Sequence, residues 1–228
     1  MRQLAARTRE TMGLPGLSVA VYCGDRLVLS EGFGFADLEA GTPATGQTVF
    51  RIASISKSLT SIALGILMER GKLDVDAPIS KYIDASFLDA TMAPNGVTAR
   101  QLAGHLAGIR NYKGAEFKSA LPYADVESSL AVFRRDALEL APLTKFLYTT
   151  HGWTLLSRVM EAAAGVPFVK LVQDEVIRPL GMRSTSAENQ RTITPNRARY
   201  YERNRDSLAL VNCPSVDLSA KLAGGEFE

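Results

Sequence analysis

The sequence predicts an α+β fold in which a short strand-rich part precedes a block of helices. Residues 17–29 are rich in β-forming side chains, whereas residues 56–71 and 153–164 carry apolar side chains at helical spacing. Strands followed by helices are typical of the α+β class. The 228 residues are 46% hydrophobic and 22% charged, which is an ordinary globular composition and suits one domain or one and a half.

An amphipathic helix is predicted at the N-terminus, over residues 1–13. Leu4 and Thr8 lie about one turn apart and share a face. The arginines of this segment also resemble those of a mitochondrial presequence, but Glu10 is acidic, and the first helix of the domain is the interpretation we favour. The pair Pro15-Gly16 ends the helical pattern.

A β-hairpin is predicted next. Residues 17–22 and 26–29 are β-rich and flank the turn residues Gly24-Asp25. Residues 32–34 predict a third strand. The glycine- and proline-containing residues 40–47 predict a loop.

Four helices are predicted after the hairpin. The first covers residues 56–71, where apolar side chains recur at helical spacing at Leu59, Ile62, Ala63, Ile66 and Leu67. Gly71 is a natural residue to end this helix, and its wide apolar face predicts burial on most sides. The other three are predicted at residues 99–106, 126–139 and 153–164.

Composition argues against several classes of function. The formal net charge is only +2 and the basic residues are scattered, so no nucleic-acid partner is predicted. We expect the densest basic stretch, residues 191–205, to be a solvated loop or strand face. Cys23 and Cys213 show no CxxC spacing, so neither a metal site nor a disulfide framework is predicted, and no cofactor is expected. No apolar run approaches the ~18 residues of a membrane span.

Ser54 and Lys57 give the first chemical signal, a Ser-x-x-Lys pattern at the start of the first predicted helix of the block. The two side chains lie one turn apart on one face, and the free N–H groups of a helix N-terminus favour developing negative charge. A lysine acts as a base only when neutral, which requires burial or neighbouring positive charge. The pattern alone arises by chance about once in a chain of this length. The alternative is that Ser54 caps the helix and Lys57 is solvated.

A longer segment carries a family resemblance. Residues 50–60 read Phe-Arg-Ile-Ala-Ser-Ile-Ser-Lys-Ser-Leu-Thr and resemble the nucleophile segment of the class C β-lactamase and D-alanyl-D-alanine carboxypeptidase superfamily. Residues 97–109 resemble its His-x-Ser-Gly turn, and residues 148–156 resemble its Tyr-Ser/Ala-Asn-x-Gly-Tyr-x-Leu-Leu motif. Further agreement in the same order is seen at residues 19–34, 196–201 and 221–225.

The resemblance covers nearly all of the chain and is greatest to the mitochondrial branch of the serine β-lactamase-like family. It implies a β-lactamase/transpeptidase-like fold with a helical domain and an incomplete antiparallel sheet. It also implies a mitochondrial location, with a cytoplasmic one as the alternative, and possible self-association.

Site residues follow from the resemblance position by position. It implies that Ser54 attacks an acyl carbon and that Lys57 accepts its proton or holds it in a shared network. It also implies that Tyr148 relays protons to the leaving group because lysine lowers the pKa of its phenol. The Ser54 N–H would supply half of an oxyanion hole. Thr150 would bind substrate, because it stands where many members have an asparagine that holds the substrate amide. We interpret His105 as a buried residue that stabilises its turn.

One departure from the family pattern leaves two hypotheses open. The third motif of the superfamily, Lys/His-x-Gly, is not found after Tyr148. We therefore expect residues 1–228 to be the N-terminal portion of a β-lactamase-related domain. The first hypothesis is a serine hydrolase of peptidase or esterase type that acts on a small-molecule or peptide acyl substrate through an acyl-enzyme. The second is a catalytically inactive truncated fragment that acts as a scaffold or binding partner.

Overall fold

The structure is a computed structural model that describes residues 1–84, 88 and 96–228. Within it the chain folds as two compact units. The first comprises Met1–Phe50 and Arg191–Pro214, and the second comprises Arg51–Gln190 and Ser215–Glu228.

The first unit begins with the predicted helix and hairpin. Helix α1 (Arg2–Met12) ends at Gly13, whose φ of 60° places it in the left-handed region that glycine adopts without strain. Strands β1 (Gly16–Cys23) and β2 (Arg26–Asp37) then pair antiparallel. Both predictions are confirmed.

The third strand was placed wrongly. Residues 32–34 continue β2, because they pair with the first residues of β1 instead of starting a new strand. The third strand is β3 (Thr42–Pro43), which pairs with the end of β2 inside the segment predicted as a loop. The sheet order is β1-β2-β3. A second antiparallel pair, β4 (Tyr201–Arg203) and β5 (Leu210–Asn212), begins within the basic stretch of residues 191–205.

The second unit contains the helical block. Its helices are α2 (Ser56–Glu69), α3 (Ala99–Ala103), α4 (Val126–Ser129), α5 (Thr150–Ala164), α6 (Phe168–Val172) and α7 (Leu222–Gly225). Helix α6 continues as a π-helical turn over Gln173–Ile177. With the two antiparallel sheets, these helices confirm the α+β class. None of the helices in the described parts of the chain is both long and apolar enough to cross a membrane.

The predicted helices compare unevenly with the observed ones. Those predicted over residues 56–71 and 153–164 are confirmed as α2 and α5, and α3 is shorter than predicted. The helix predicted over residues 126–139 is wrong, because α4 ends at Ser129 and a 3-10 turn follows at Leu130–Val132. Phe133 then leaves the helical region, with a φ of −140°, and its buried ring stacks on His151. That burial competes with continuation of the helix.

The core of the second unit lies where α2, α5 and α6 pack together. Helix α5 starts at Thr149, whose side chain accepts a hydrogen bond from the Gly152 N–H, and ends before Gly165 in the left-handed region. Fully buried apolar side chains in this core include Leu67, Leu156, Val159, Met160, Phe168 and Val172.

The last three residues, Glu226–Glu228, lie between two partners. On one side they pair with residues 186–188 through three backbone hydrogen bonds of 2.9 to 3.0 Å. On the other side, the Ile52 N–H donates to the Phe227 carbonyl, and the Phe227 N–H donates to Ser56 Oγ, both at 3.1 Å. The segment is therefore tied to the residues on both sides of Ser54.

Glu226 is buried in this segment with an unusual charge environment. Its Oε2 atom has no hydrogen-bond partner among the described residues. Burial, followed by repulsion from Asp217 and Glu188, raises the pKa of Glu226 to about 8. Glu188 is itself held by a two-pronged ion pair with Arg51. The uncharged form of Glu226 is therefore the one that suits the folded chain at neutral pH.

We expect Glu226→Gln to stabilise the protein in alkaline solution. The folded chain keeps the Glu226 proton up to pH of about 8, whereas the unfolded chain loses it near the ordinary value of 4.5. The free energy of unfolding of the wild type should therefore fall as pH rises between these values, and the neutral glutamine should not show that decline. Urea unfolding followed by circular dichroism at pH 5, 7 and 9 measures the difference, which should be largest at pH 9. Glu139→Gln, at an exposed position, is the control; a constant difference across pH for E226Q would contradict the expectation.

We also expect Leu156→Ala to destabilise the helical unit strongly. Leu156 is fully buried in α5, so the substitution removes apolar contacts and leaves a cavity, which costs about 2–5 kcal/mol in the free energy of unfolding. Leu121→Ala makes the same change at an exposed position and should change stability by less than about 0.5 kcal/mol. Equal losses for the two variants in urea unfolding would show that α5 is not part of the core.

Candidate active site

Ser54 lies in a tight turn that leads directly into α2. The turn is a 3-10 segment, Ala53–Ile55, and Ala53 has a φ of 46°, a left-handed conformation that is strained for a residue with a side chain. The Ser54 side chain is exposed, and the residue that precedes α2 is Ile55, with no side-chain cap. The alternative in which Ser54 caps the helix is therefore wrong.

The Lys57 side chain points into the protein and approaches Ser54. Its side chain is buried in the first turn of α2, with 8% of the residue exposed, so it is not the solvated lysine of that alternative. The Nζ atom lies 3.2 Å from Ser54 Oγ and donates a 2.7 Å hydrogen bond to the Gly224 carbonyl. It also lies 4.9 Å from the centre of the Tyr148 ring. A buried amine requires such partners, because burial without them is costly.

Tyr148 completes a three-residue arrangement around the serine hydroxyl. It is 42% exposed, and its hydroxyl donates a 2.7 Å hydrogen bond to Ser54 Oγ. Desolvation raises the pKa of the Tyr148 phenol, but its hydrogen bonds to Lys57 and Ser54 and the Lys57 charge outweigh that effect, so the pKa lies below its ordinary value of 10. The expectation that lysine lowers the pKa of this phenol is confirmed.

Thr150 lies deeper than the other predicted site residues. It is buried, and its N–H donates to Asn111 Oδ1 at 3.1 Å. Its side chain interacts with the Tyr112 phenol. Its methyl group packs on Gly224, where an added Cβ would lie only 2.5 Å from Thr150 Cγ2. The structure therefore brings Ser54, Lys57 and Tyr148 together, while the contacts it describes for the Thr150 side chain are with Tyr112 and Gly224.

His105 packs against the ring of Tyr148. It has a φ of 59°, and its Nδ1 accepts a 3.1 Å hydrogen bond from the Thr149 N–H, which assigns the proton of the neutral ring to Nε2. The ring centres of His105 and Tyr148 lie 4.4 Å apart. Burial and then the Lys57 charge lower the pKa of His105, so the ring stays neutral. This agrees with its interpretation as a histidine that stabilises its turn.

Sequence reasoning missed a buried arginine that holds the start of α5. The Arg110 guanidinium is buried and donates to Asp136 at 2.5 Å and to Glu116 at 2.7 and 3.0 Å. Its backbone carbonyl accepts a 2.6 Å hydrogen bond from Thr149 Oγ1. The only sequence signal was its place directly after Gly108-Ile109 in the histidine turn. An isolated arginine is usually solvated, so that signal was too weak.

His151 belongs to the cluster that Arg110 forms with Asp136 and Glu116, and it makes no described contact with Ser54. Its Nε2 lies 3.2 Å from Arg110 Nη1, and its ring stacks on Phe133 at 4.7 Å. Burial and then the Arg110 charge lower the pKa of His151 to about 4, although Glu116 opposes the shift. The imidazole is therefore neutral at physiological pH and acts as a packing residue within the cluster.

The arrangement supports one kind of chemistry. A serine hydroxyl that meets both an amine and a phenol can lose its proton as it attacks an electrophilic carbon, and the same groups can return a proton to a leaving group. Within the described residues, no group of three or more His, Cys, Asp or Glu side chains is placed to hold a metal ion.

Comparison with known proteins agrees with the fold. The chain is similar to the octameric penicillin-binding protein homologue from Pyrococcus abyssi, with a TM-score of 0.81 and 25% sequence identity, over 99% of this chain and 52% of that one. The predicted β-lactamase/transpeptidase-like fold is thereby confirmed.

Curated relatives agree with the family resemblance. The mitochondrial serine beta-lactamase-like protein LACTB of Mus musculus is 33% identical over an alignment that covers 99% of this chain and 54% of the relative. The teichoic acid D-alanine hydrolase of Staphylococcus aureus (strain MRSA252) is 26% identical, over 87% of this chain and 47% of the relative. The chain spans about half the length of these relatives. The family profile described as Beta-lactamase matches residues 1–220, so this chain belongs to the beta-lactamase family.

Proposed function

We propose that this protein is an acyl-transferring serine hydrolase in which Ser54 is the nucleophile and Lys57 and Tyr148 are its proton-transfer partners. One observation carries the proposal: Ser54 Oγ accepts hydrogen bonds from both Lys57 Nζ, at 3.2 Å, and the Tyr148 hydroxyl, at 2.7 Å. A serine that only caps a helix or faces solvent has no need of a buried lysine and a tyrosine with a lowered pKa.

The proposed reaction has two steps. In the first, Ser54 Oγ bonds to the acyl carbon of the substrate while its proton passes to the Tyr148–Lys57 pair, in which Tyr148 is a phenolate beside the Lys57 ammonium, and the pair then protonates the leaving group as its bond to the acyl carbon breaks. In the second, a water molecule gives a proton to the same pair and attacks the ester, which releases the acid and returns the proton to Ser54. Thr150, the predicted substrate-binding residue, would act through its packing beside Tyr112 and Gly224.

The relatives support a substrate class, a cellular location and self-association. The staphylococcal relative is named as a hydrolase of teichoic acid D-alanine, which supports a small-molecule or peptide acyl substrate for this chain. The mouse relative is named as mitochondrial, which supports the same location here in preference to the cytoplasm. The octameric archaeal neighbour supports self-association.

A non-catalytic binding role is the second candidate. Residues 149–228 contain no Lys/His-x-Gly sequence, the motif that lines the site in other members of the superfamily. In that case the geometry around Ser54 would be retained for packing alone.

We expect a fluorophosphonate probe to form one covalent adduct with the chain and to leave Ser54→Ala unmodified. The probe requires an activated serine, and the contacts of Lys57 and Tyr148 with Ser54 Oγ provide the activation. Intact-mass spectrometry reads the result. Ser58→Ala, at an exposed serine in the first turn of α2, should label like the wild type. A folded wild-type chain that forms no adduct would favour the binding role.

We expect Tyr148→Phe to slow this labelling by about 10²–10⁴-fold, the usual contribution of a general acid or base. Because the pKa of Tyr148 is below 10, the wild-type rate should rise with pH at values lower than an ordinary tyrosine would give, and the variant should lose this rise. Rates measured between pH 6 and 10 test both points, with Tyr22→Phe as an exposed control. An unchanged pH profile in the Y148F variant would remove Tyr148 from the mechanism.

A further inference from the structure

Lys221 is a buried lysine that the proposed reaction does not use. It immediately precedes α7 and is 7% exposed. Its Nζ donates a 2.8 Å hydrogen bond to the Phe117 carbonyl and lies 4.4 Å from the centre of the Phe117 ring and 5.7 Å from that of Tyr112. An aromatic face attracts an ammonium group and offsets part of the cost of burying it. Lys221 therefore fastens the segment of residues 112–117 to the start of α7.

The residues that follow this segment are fastened at two points of their own. The Asp217 N–H donates a 2.9 Å hydrogen bond to the Ser119 carbonyl. The Tyr123 N–H donates a 2.8 Å hydrogen bond to Ser219 Oγ. These bonds hold residues 119–123. Nearer the site, Arg110 holds Glu116 and Tyr112 packs on His151, while Lys221 contacts both aromatic rings.

From Tyr112, a chain of contacts leads to the serine. The Tyr112 phenol interacts with the Thr150 side chain and is close enough to Tyr148 to feel its charge. The Thr150 methyl group packs on Gly224, whose carbonyl accepts the Lys57 hydrogen bond and whose N–H donates to the Lys221 carbonyl at 2.7 Å. The backbone of Lys221 thus supports Gly224, and its side chain supports Tyr112.

We propose that Lys221 is a positioning residue that sets the affinity for the acyl substrate by holding Phe117 against Tyr112, the aromatic residue next to Thr150. This inference rests on the proposed hydrolase function. Burial raises the pKa of Tyr112 to about 12, so its phenol remains a neutral hydrogen-bonding group beside Thr150 and Tyr148. The Lys221 side chain makes no described contact with Ser54, so its loss should weaken substrate binding and leave the chemical step intact.

The test compares Lys221→Met, Lys221→Arg and Phe117→Leu in the hydrolysis of p-nitrophenyl acetate and p-nitrophenyl octanoate by the 228-residue chain. Methionine keeps the apolar stem on the two rings but loses the ammonium, so we expect KM for the octanoate to rise about tenfold while kcat stays within about twofold. Arginine retains a cation over the rings and a donor for the Phe117 carbonyl, so it should restore most of the affinity. F117L changes an exposed ring and leaves the core intact, and it should raise KM about threefold.

Lys72→Met, which makes the same change at an exposed lysine after α2, should behave like the wild type. An unchanged KM in K221M, or a fall in kcat with KM unchanged, would overturn the inference. Equal losses in K221M and K221R would also overturn it, because they would reflect altered packing and not the position of the aromatic segment. Failure of the proposed function would look different: the wild type itself would neither hydrolyse the esters nor react with a fluorophosphonate.

Discussion

The burial of one amine governs the arrangement of the helical unit. Lys57 stands inside the first turn of α2, where its nitrogen has little access to water and must find protein partners. One partner, Ser54, lies in the turn directly before this helix, but the other is the Gly224 carbonyl, 167 residues further along the chain. For this carbonyl to arrive, α7 must pack against both α2 and α5. The position of the proposed nucleophile and the packing of three helices are therefore parts of one requirement.

Local features of the fold could be predicted from the sequence because they depend on neighbours along the chain. The period of apolar residues gave α2 and α5, and the turn at Gly24 gave the first hairpin. The same reasoning failed over residues 126–139, where apolar spacing suited a helix but the burial of Phe133 against His151 ended it. The residues proposed as catalytic came from a resemblance. The roles of Gly224 and Lys221 depend on contacts between distant segments, and no spacing rule reveals those.

The cluster around Arg110 shows how a buried charge can organise a site that it does not touch. A guanidinium has fixed donor directions, so the buried Arg110 side chain fixes the positions of Asp136 and Glu116. The backbone carbonyl of Arg110 in turn accepts the hydrogen bond from Thr149 Oγ1. The same cluster therefore fixes the position of the start of α5 and of Tyr148, which directly precedes Thr149. The proposed proton transfer over 2.7 to 3.2 Å requires a single well-defined geometry of this kind.

Trp153 gives the molecule a property of a different kind. It is the only tryptophan in the chain, it is buried in α5, and the Lys57 nitrogen lies 5.7 Å from its ring. Indole emission responds to a nearby cation and to the entry of water, so the tryptophan fluorescence of this protein reports on one place, beside Lys57. With excitation selective for tryptophan over the seven tyrosines, an unlabelled sample therefore carries its own optical probe of that place.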